Sequence, residues 1–321
     1  MAYSSGSLIE ATDYNGFAST TAGANVNNVW STGSTDSGWG QTALTTVSAA
    51  GSITATQWAS LVNTISSMGS HTGTTITARV APVAGNTIDI LAALNTDLTN
   101  ITTNRQNAVA NGTQFTGYTG TNSKTAATSG ATWTISFVNT VTFASADAAR
   151  YFFNAGGRVK IDVSKTATGA TGDPEWNDLA NTLCGDIFIT GGTATQTISG
   201  ANYTGTTKSG GTGTPTTLLT TTGFNDLTAG AGATIVYKQF ADTAPYTSNF
   251  IQHSIAKGAG SDTLVITTLW SASDGDPISG GTASSGATAG TAPTTIVTYF
   301  PPSTTYLTAS WGTPTVAATT T

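Results

Sequence analysis

The sequence predicts a mainly β protein with a helical N-terminal region, residues 1–112, and a C-terminal β-sandwich domain of jelly-roll-like type, residues 113–321. Three observations support this fold class. Apolar residues recur at helical spacing mostly in the first third of the chain, and from about Thr113 onward they alternate with polar residues, as in half-buried strands. The chain is rich in threonine, whose branched Cβ suits a pleated sheet. Gly-, Ser- and Thr-rich stretches separate the predicted strands, which is typical of a sandwich with long loops.

The first predicted helix follows a Gly/Ser/Thr-rich start. Its apolar residues recur at intervals of three and four and so share one face: Trp58, Leu61, Val62, Ile65 and Met68. Thr54 or Thr56 is suited to cap its start, and Gly69 to end it.

The second predicted helix has a heptad-like stripe. Pro82 and Gly85 precede it, and Asn111 with Gly112 follows it. The stripe consists of Ile88, Leu91, Leu94, Leu98 and Ile101. The last four form two a/d repeats, which predict a short parallel coiled coil at the axis of a homo-oligomer. The same spacing also fits an amphipathic helix packed inside one subunit.

Seven strands are predicted after residue 113. They are Thr132–Phe143, Arg158–Val163, Asp186–Thr190, Ala233–Phe240, Phe250–Ala256, Thr263–Trp270 and Thr294–Phe300. The longest loops between them are Gly191–Gly213 and Gly280–Gly290.

Two shorter helical segments interrupt the strands. One runs from Ser145, a suitable N-cap, to Asn154, and Gly156 with Gly157 ends it. The other is a helical turn over Glu175–Leu183.

The charge and the apolar pattern of the chain argue against nucleic-acid and membrane partners. Charged residues make up only 8% of the 321 residues, with 10 basic and 16 acidic side chains and a net charge of −6. Nucleic-acid binding needs clustered Lys and Arg, and the sequence has no such cluster, so we expect no nucleic-acid partner. No apolar run approaches the ~18 residues of a membrane span, so we expect no membrane partner. Residues 1–9 lack the pattern of a secretory signal, and we expect synthesis in a cytoplasm.

The histidines and the cysteine have structural explanations. His71 is expected just past a helix C-terminus, where a partly positive imidazole suits the exposed carbonyls. His253 lies in a strand, and a triad with Asp242 has no G-x-S-x-G motif to support it. Cys184 is the only cysteine, which excludes a disulfide within the chain and a multi-cysteine zinc site, and we expect it to be buried.

The carboxylates are the remaining candidates for chemistry. A glycosidase uses paired carboxylates, and Asp173, Glu175 and Asp178 are close in sequence. Acidic residues at helix starts are common, however, and that interpretation is favoured. Asp274 and Asp276 resemble part of a calcium loop but lack the other ligands, so a turn is favoured. We therefore expect no enzymatic activity, no cofactor and no metal.

Several segments carry more information than composition does. In order they are MAYSSGSLIEATDYNGFAS, VWSTGSTDSGWGQ, ITATQWASLVNTISSMGSHTGT, FASADAARYFFNAGGRVKIDVS, PEWNDLANTLCG, GFNDLTAGAGATIVYKQFADTAPYTSNFIQHSI and YFPPSTTYLTASWGTPT. Together they resemble a family of virion structural proteins of tailed bacteriophages, frequent in contractile-tailed phages of cyanobacteria, over nearly the whole chain. AARYFFNAGGRVKI and QFADTAPYTSN are the most specific parts. The resemblance implies a virion component and brings no catalytic residues.

The AARYFFNAGG segment also makes local structural predictions. Asp147 and Arg150 are i,i+3 neighbours on a helical turn and are expected to pair. Tyr151, Phe152 and Phe153 form a concentrated apolar group that must be buried.

The sequence and the resemblance together predict a structural component of a phage virion. It would be a homo-oligomer, a trimer, forming a fibre or appendage at the neck, tail or baseplate after synthesis in the host cytoplasm. Its partners would be copies of itself and other virion proteins, with the helical region docked on the particle. The alternative is a receptor-binding adhesin that recognises host-surface glycan through aromatic and Asp or Asn side chains in its C-terminal loops. The seven tryptophans could stack on sugars, although burial explains most of them.

Overall fold

The computed structural model describes residues 10–20, 23–85, 93–121, 132–166, 173–273 and 293–320, with the backbone alone at Thr121 and Asp173. Some sequence predictions lie outside these ranges, namely those for Ile88, Leu91, Asp274, Asp276 and the loop Gly280–Gly290.

Four helices precede the first strand in the described residues. They are α1 Ala11–Ala18, α2 Val26–Trp30, α3 Ala55–Thr72 and α4 Leu94–Thr103. α3 is the first predicted helix, and Thr54 caps it: Thr54 Oγ1 accepts a hydrogen bond from the backbone N–H of Gln57 at 3.2 Å, and the N–H of Thr54 donates to Gln57 Oε1 at 2.8 Å. The helix runs one turn beyond the predicted end at Gly69 and stops at Gly73, whose φ of 70° is left-handed.

The later helices lie between strands. They are α5 Ala146–Asn154 and α6 Asp173–Asp178, which continues as a π-helical segment over Leu179–Cys184, and a 3₁₀ turn at Phe224–Asp226. Ser145 caps α5 as predicted, since its Oγ accepts a hydrogen bond from the N–H of Ala148 at 3.0 Å.

In the described residues the chain is mainly β, and the pairs between its strands are antiparallel. The strands are β1 Phe115–Thr121, β2 Trp133–Thr142, β3 Arg158–Ser164, β4 Asp186–Ile189, β5 Gln196–Ile198, β6 Ala201–Tyr203, β7 Thr206–Ser209, β8 Thr217–Leu218, β9 Thr234–Phe240, β10 Phe250–Lys257, β11 Thr263–Ala272, β12 Thr294–Phe300 and β13 Thr315–Thr320. They form a five-stranded sheet in the order β1-β12-β3-β4-β7, a six-stranded sheet in the order β13-β2-β11-β10-β9-β8, and the hairpin β5-β6. All seven predicted strands are confirmed. The predicted loop Gly191–Gly213 is wrong in part, because β5, β6 and β7 lie within it.

Strands from the two ends of the β region pair with one another. β1 pairs with β12, with Phe115 opposite Tyr299, and β2 pairs with β11, with Ile135 opposite Trp270. On each sheet, alternate residues of the central strands are buried, as the period of two requires. In β2 and β3 these are Ile135, Phe137, Asn139, Val141, Val159, Ile161 and Val163.

The helices and the two large sheets contribute to one hydrophobic cluster. It contains Trp58 and Leu61 of α3, Leu98 of α4, and the inward residues of the strands. The predicted boundary after residue 112 marks the change from helices to strands, and the buried surface continues across it. Within the described ranges, none of the helices combines the length and the apolar character that a membrane crossing requires.

Candidate functional site

The leucines predicted to line an oligomer axis are buried inside the single chain. Leu94, Leu98 and Ile101 are each 0% exposed, on the face of α4 that belongs to the common core, and α4 packs against α3. Side chains already covered within one chain have no surface left for a second copy. The interface prediction is therefore wrong for these three residues, and the alternative, a helix packed within one subunit, is what the structure shows. Leu91 lies outside the described residues.

A buried ion pair also holds α4, through Asp97 at the edge of its buried face. A carboxylate oxygen of Asp97 lies 2.6 Å from a guanidinium nitrogen of Arg79, and both side chains are 6% exposed. The same carboxylate accepts a hydrogen bond from the backbone N–H of Thr77 at 3.1 Å. The extended segment 74–83 is thus tied to the helix through one carboxylate.

Both histidines are buried and neutral. His71 Nε2 donates to the carbonyl oxygen of Ala155 at 3.0 Å, and the ring meets Trp39 edge-on at 4.9 Å. Burial lowers the pKa of His71 from 6.5 to about 4. The predicted partly positive imidazole at a helix end is therefore wrong: the ring is in the last turn of α3, buried against Trp39 and hydrogen-bonded to Ala155.

His253 is not placed for a catalytic triad. It is fully buried, its Nδ1 lies 3.0 Å from Thr268 Oγ1, and its ring stacks on Tyr237 at 5.3 Å. Burial lowers its pKa to about 3. Asp242 is exposed and accepts a hydrogen bond from the Thr243 hydroxyl at 3.2 Å instead.

Cys184 is buried as predicted. Burial raises the pKa of its thiol from 9.0 to about 12, so it carries no thiolate at neutral pH. Cysteine and histidine side chains often act as nucleophiles or exchange protons near neutral pH. In this chain Cys184, His71 and His253 are all buried.

Among the carboxylates of α6, Glu175 has a pKa that is set mainly by burial. Glu175 is buried, and this raises the pKa of its carboxyl; hydrogen bonds from Thr243 oppose the rise, and the negative charges of Asp178 and Asp242 add to it. Glu175 follows Pro174 in the first turn of α6, as predicted. In the part of the chain that the structure describes, no three His, Cys, Asp or Glu side chains are placed to hold a metal ion.

Two of the segments that carry the sequence resemblance, VWSTGSTDSGWGQ and AARYFFNAGGRVKI, meet at one junction. The indole of Trp39, fully buried, donates from Nε1 to the carbonyl oxygens of Asn154 at 3.1 Å and Arg105 at 3.0 Å. The side-chain amide of Asn154 donates to the carbonyl oxygen of Ser37 at 2.9 Å. A Cβ at Gly40 would lie 2.3 Å from the Tyr151 ring, so only glycine fits there.

The predictions for α5 are confirmed at this junction. Asp147 and Arg150 pair at 2.8 Å, and Tyr151, Phe152 and Phe153 are all buried. The segment therefore acts as the point where the N-terminal loop docks on the β region.

A groove lies in the helical region of the part of the chain that the structure describes. It has a volume of about 790 Å³, between α3 and the extended residues 41–45, with Tyr14, Trp30 and Thr308 completing its lining. Five tryptophans are core residues, as predicted, namely Trp39, Trp58, Trp176, Trp270 and Trp311. Trp30, half-buried, lines this groove instead.

The wall of this groove is fixed by asparagine side chains. The amide of Asn27 donates to the carbonyl oxygen of Leu44 at 2.9 Å and accepts from its N–H at 2.8 Å. Asn15 does the same for Val47, at 2.7 and 2.8 Å. Asn27 and Asn15 thus satisfy both backbone groups of Leu44 and of Val47, as a neighbouring strand would. The sequence analysis gave no sign of this groove, because its parts come from separate segments.

The most exposed large apolar side chains of the described residues lie on one segment. Val80 is 87% and Val83 64% exposed, both in the extended stretch that Arg79 anchors. Exposed valines on an anchored segment are a feature that a protein–protein contact would cover.

Searches of protein-family models, of curated proteins and of solved structures find no match to this chain. The functional argument therefore rests on the residues and their geometry together with the sequence resemblance described above.

Proposed function

We propose that the protein is a structural component of a tailed-phage virion, a homo-oligomeric fibre or appendage at the neck, tail or baseplate that works by assembly. One observation supports this most directly. The chain's two histidines and its cysteine, His71, His253 and Cys184, are all buried, and their pKa values are shifted away from the range where they would exchange protons near neutrality. A protein that assembles needs none of this chemistry at its surface.

We also infer that the two large sheets face one another as a β-sandwich of jelly-roll-like type. Their buried faces share one core, and their edges approach at both ends: Tyr118 of β1 lies 3.4 Å from Thr320 of β13 through the two hydroxyls, and the N–H of Thr206 in β7 donates to the carbonyl oxygen of Leu219, next to β8. The nested pairs β1–β12 and β2–β11 fit a jelly roll, whereas β9, β10 and β11 follow each other as a plain meander.

A homo-oligomer, and a trimer in particular, now needs a different contact surface. We propose the segment 74–83, whose valines Val80 and Val83 are exposed and whose backbone is anchored by the Arg79–Asp97 pair. Attachment through such apolar and neutral polar contacts would be insensitive to salt, because screening acts on charge pairs.

The test is to purify virions and follow the chain by blotting and by gold-labelled antibody in electron micrographs. We expect the protein at one site on each particle, retained when salt rises from about 0.1 M to 1 M and the Debye length falls from about 10 Å to 3 Å. Particles that lack the chain would disprove a virion role. Particles that carry it but release it quantitatively in salt would disprove attachment by burial.

A further inference from the structure

We propose that the groove between α3 and residues 41–45 binds a neutral, hydroxyl-rich oligosaccharide. Its volume of about 790 Å³ is within the range of small-molecule sites, roughly 300–1,000 Å³. None of the described residues that line it is charged. An ionic ligand would therefore find no counter-ion there, whereas a ligand with many hydroxyl groups would find matching donors and acceptors.

One wall is a stripe of polar side chains that have no hydrogen-bond partner among the described residues. Thr56, Ser60, Asn63 and Thr64 recur along α3 at spacings that place them on one face, and all four line the groove. No other described residue forms a hydrogen bond with these side chains. On α4, by contrast, the hydroxyls of Thr99 and Thr103 donate to the carbonyl oxygens one turn earlier, at 2.8 and 3.0 Å. The groups on α3 therefore remain available to a ligand.

The lining also includes a tyrosine ring. Tyr14 is 1% exposed as a whole residue, packs edge-on against Trp58 at 5.4 Å and lines the groove, and no hydrogen bond to its hydroxyl is formed within the described residues. A ligand hydroxyl would find a hydrogen-bond partner in this phenol, which both donates and accepts.

An aromatic surface accompanies this hydroxyl. Trp30 is half-buried in the groove, and its Nε1 donates to the carbonyl oxygen of Thr42 at 3.0 Å, which fixes the orientation of the indole. A fixed indole offers a flat apolar surface, and the C–H face of a pyranose ring is suited to it.

The opposite wall is preorganised. Asn27 holds Leu44 through both backbone groups, and the side chain of Gln41 is held by Thr308, so residues 41–45 need no ordering when a ligand binds. The site is on the helical region, whereas the adhesin alternative had placed glycan contacts in the C-terminal loops. The inference does not depend on the virion assignment, because it concerns the isolated protein.

The test uses the full chain on an array of neutral oligosaccharides, namely hexaoses of glucose, mannose, xylose and N-acetylglucosamine, with oligogalacturonate and heparin fragments as acidic probes. The best neutral probe is then titrated by calorimetry, and the indole N–H signal of Trp30 is followed by NMR. We expect binding to at least one neutral probe, a shift of that signal, and no binding to the acidic probes.

The matched variants remove hydroxyl and amide groups from two helices. The double variant Ser60→Ala/Asn63→Ala changes the groove, and Thr96→Ala/Asn100→Ala changes exposed positions of α4 at a similar spacing. We expect the first to weaken binding about tenfold, as the loss of two neutral hydrogen bonds implies, and the second to leave it unchanged. Absence of binding by the wild type to every neutral probe would overturn the proposal. So would equal affinity of the two double variants, or preference for an acidic probe. Should the groove variant not fold, the wild type alone tests the proposal: the Trp30 indole N–H signal shifts with the neutral probe if the ligand binds in the groove, and an unchanged signal overturns the proposal.

Discussion

The indole N–H of Trp39 donates a hydrogen bond to the carbonyl oxygen of Asn154, 115 residues further along the chain. The Asn154 side chain returns to the same loop through the carbonyl oxygen of Ser37. Helix α5 and the N-terminal loop that contains Ser37 and Trp39 are therefore bound to each other in both directions. This contact joins the helical region to the β region, and the sequence pattern of neither part predicts it.

Replacement of Trp39 by Phe is expected to destabilise the whole protein. The change removes a buried donor, leaves the carbonyl oxygens of Arg105 and Asn154 without it, and opens a void next to His71, so we expect a loss of about 2–4 kcal/mol. Urea unfolding measures it. Trp30→Phe is the control, because that indole is half-buried and its loss should cost less than about 1 kcal/mol. Equal losses for the two variants would contradict the account of the junction.

The Arg79–Asp97 pair should be worth far more than the pair on α5. Asp97→Asn leaves the Arg79 guanidinium buried without its counter-charge, and we expect a loss of about 3–5 kcal/mol. Asp147→Asn breaks a pair whose carboxylate is 63% exposed, and we expect at most about 1 kcal/mol. Thermal unfolding of both variants gives the comparison, and a larger loss for Asp147→Asn would show that the buried pair has been misjudged.

Stability should fall as pH falls below the usual pKa of histidine. The folded pKa of His71, about 4, is below the unfolded 6.5, so between these values the unfolded chain binds the proton more tightly and stability decreases by about 1.4 kcal/mol per pH unit for this histidine. His253 acts in the same direction down to about 3. Glu175 and Asp162, whose pKa values are raised by burial, act in the opposite direction at acid pH.

The contribution of His71 is isolated with His71→Gln, which keeps a side-chain donor for Ala155 but does not titrate. The difference in unfolding free energy between wild type and variant should change by about 1.4 kcal/mol per pH unit between pH 6.5 and 4 and should be flat above pH 7. A difference that does not vary with pH would mean that His71 is charged or accessible in the folded protein.

Val80→Asp should reduce the mass of the homo-oligomer in solution. It should not change the thermal stability of the single folded chain. The side chain is 87% exposed in the single chain, so a charge there costs nothing in the monomer but is buried in an interface. Light scattering measures the mass. Leu98→Ala is the complementary change: we expect a loss of about 2–5 kcal/mol and no change in mass. A wild-type monomer, or an unchanged mass in Val80→Asp, would refute this surface.

The sequence was sufficient where the relevant interactions are local. The face of α3, its cap at Thr54 and the cap of α5 at Ser145 follow from residues within one or two turns, and alternation located strands such as β2 and β12. The short strands β5 to β8 were not predicted, because in their Thr- and Gly-rich sequences apolar and polar residues do not alternate clearly. The contacts with neighbouring strands specify them instead.

The candidate sites were harder to predict than the elements. A stripe such as Leu94, Leu98 and Ile101 looks the same whether another helix of the chain or a second copy covers it, because periodicity records that a face is buried and not by what. The groove brings together α1, α2, α3, residues 41–45 and Thr308, and only the folded chain makes that combination.

The pairing of β1 with β12 has a consequence for synthesis. Phe115 meets Tyr299, and at ~5–20 residues per second a ribosome needs roughly 10–35 s to reach the partner strand. During that interval β1 remains an unpaired edge next to other nascent chains, which is the condition that favours aggregation. Its sequence, FTGYTGT, has only two large apolar side chains, and its glycines weaken any intermolecular β-pairing. The threonine- and glycine-rich composition of this strand thus protects the chain while its partner is still being made.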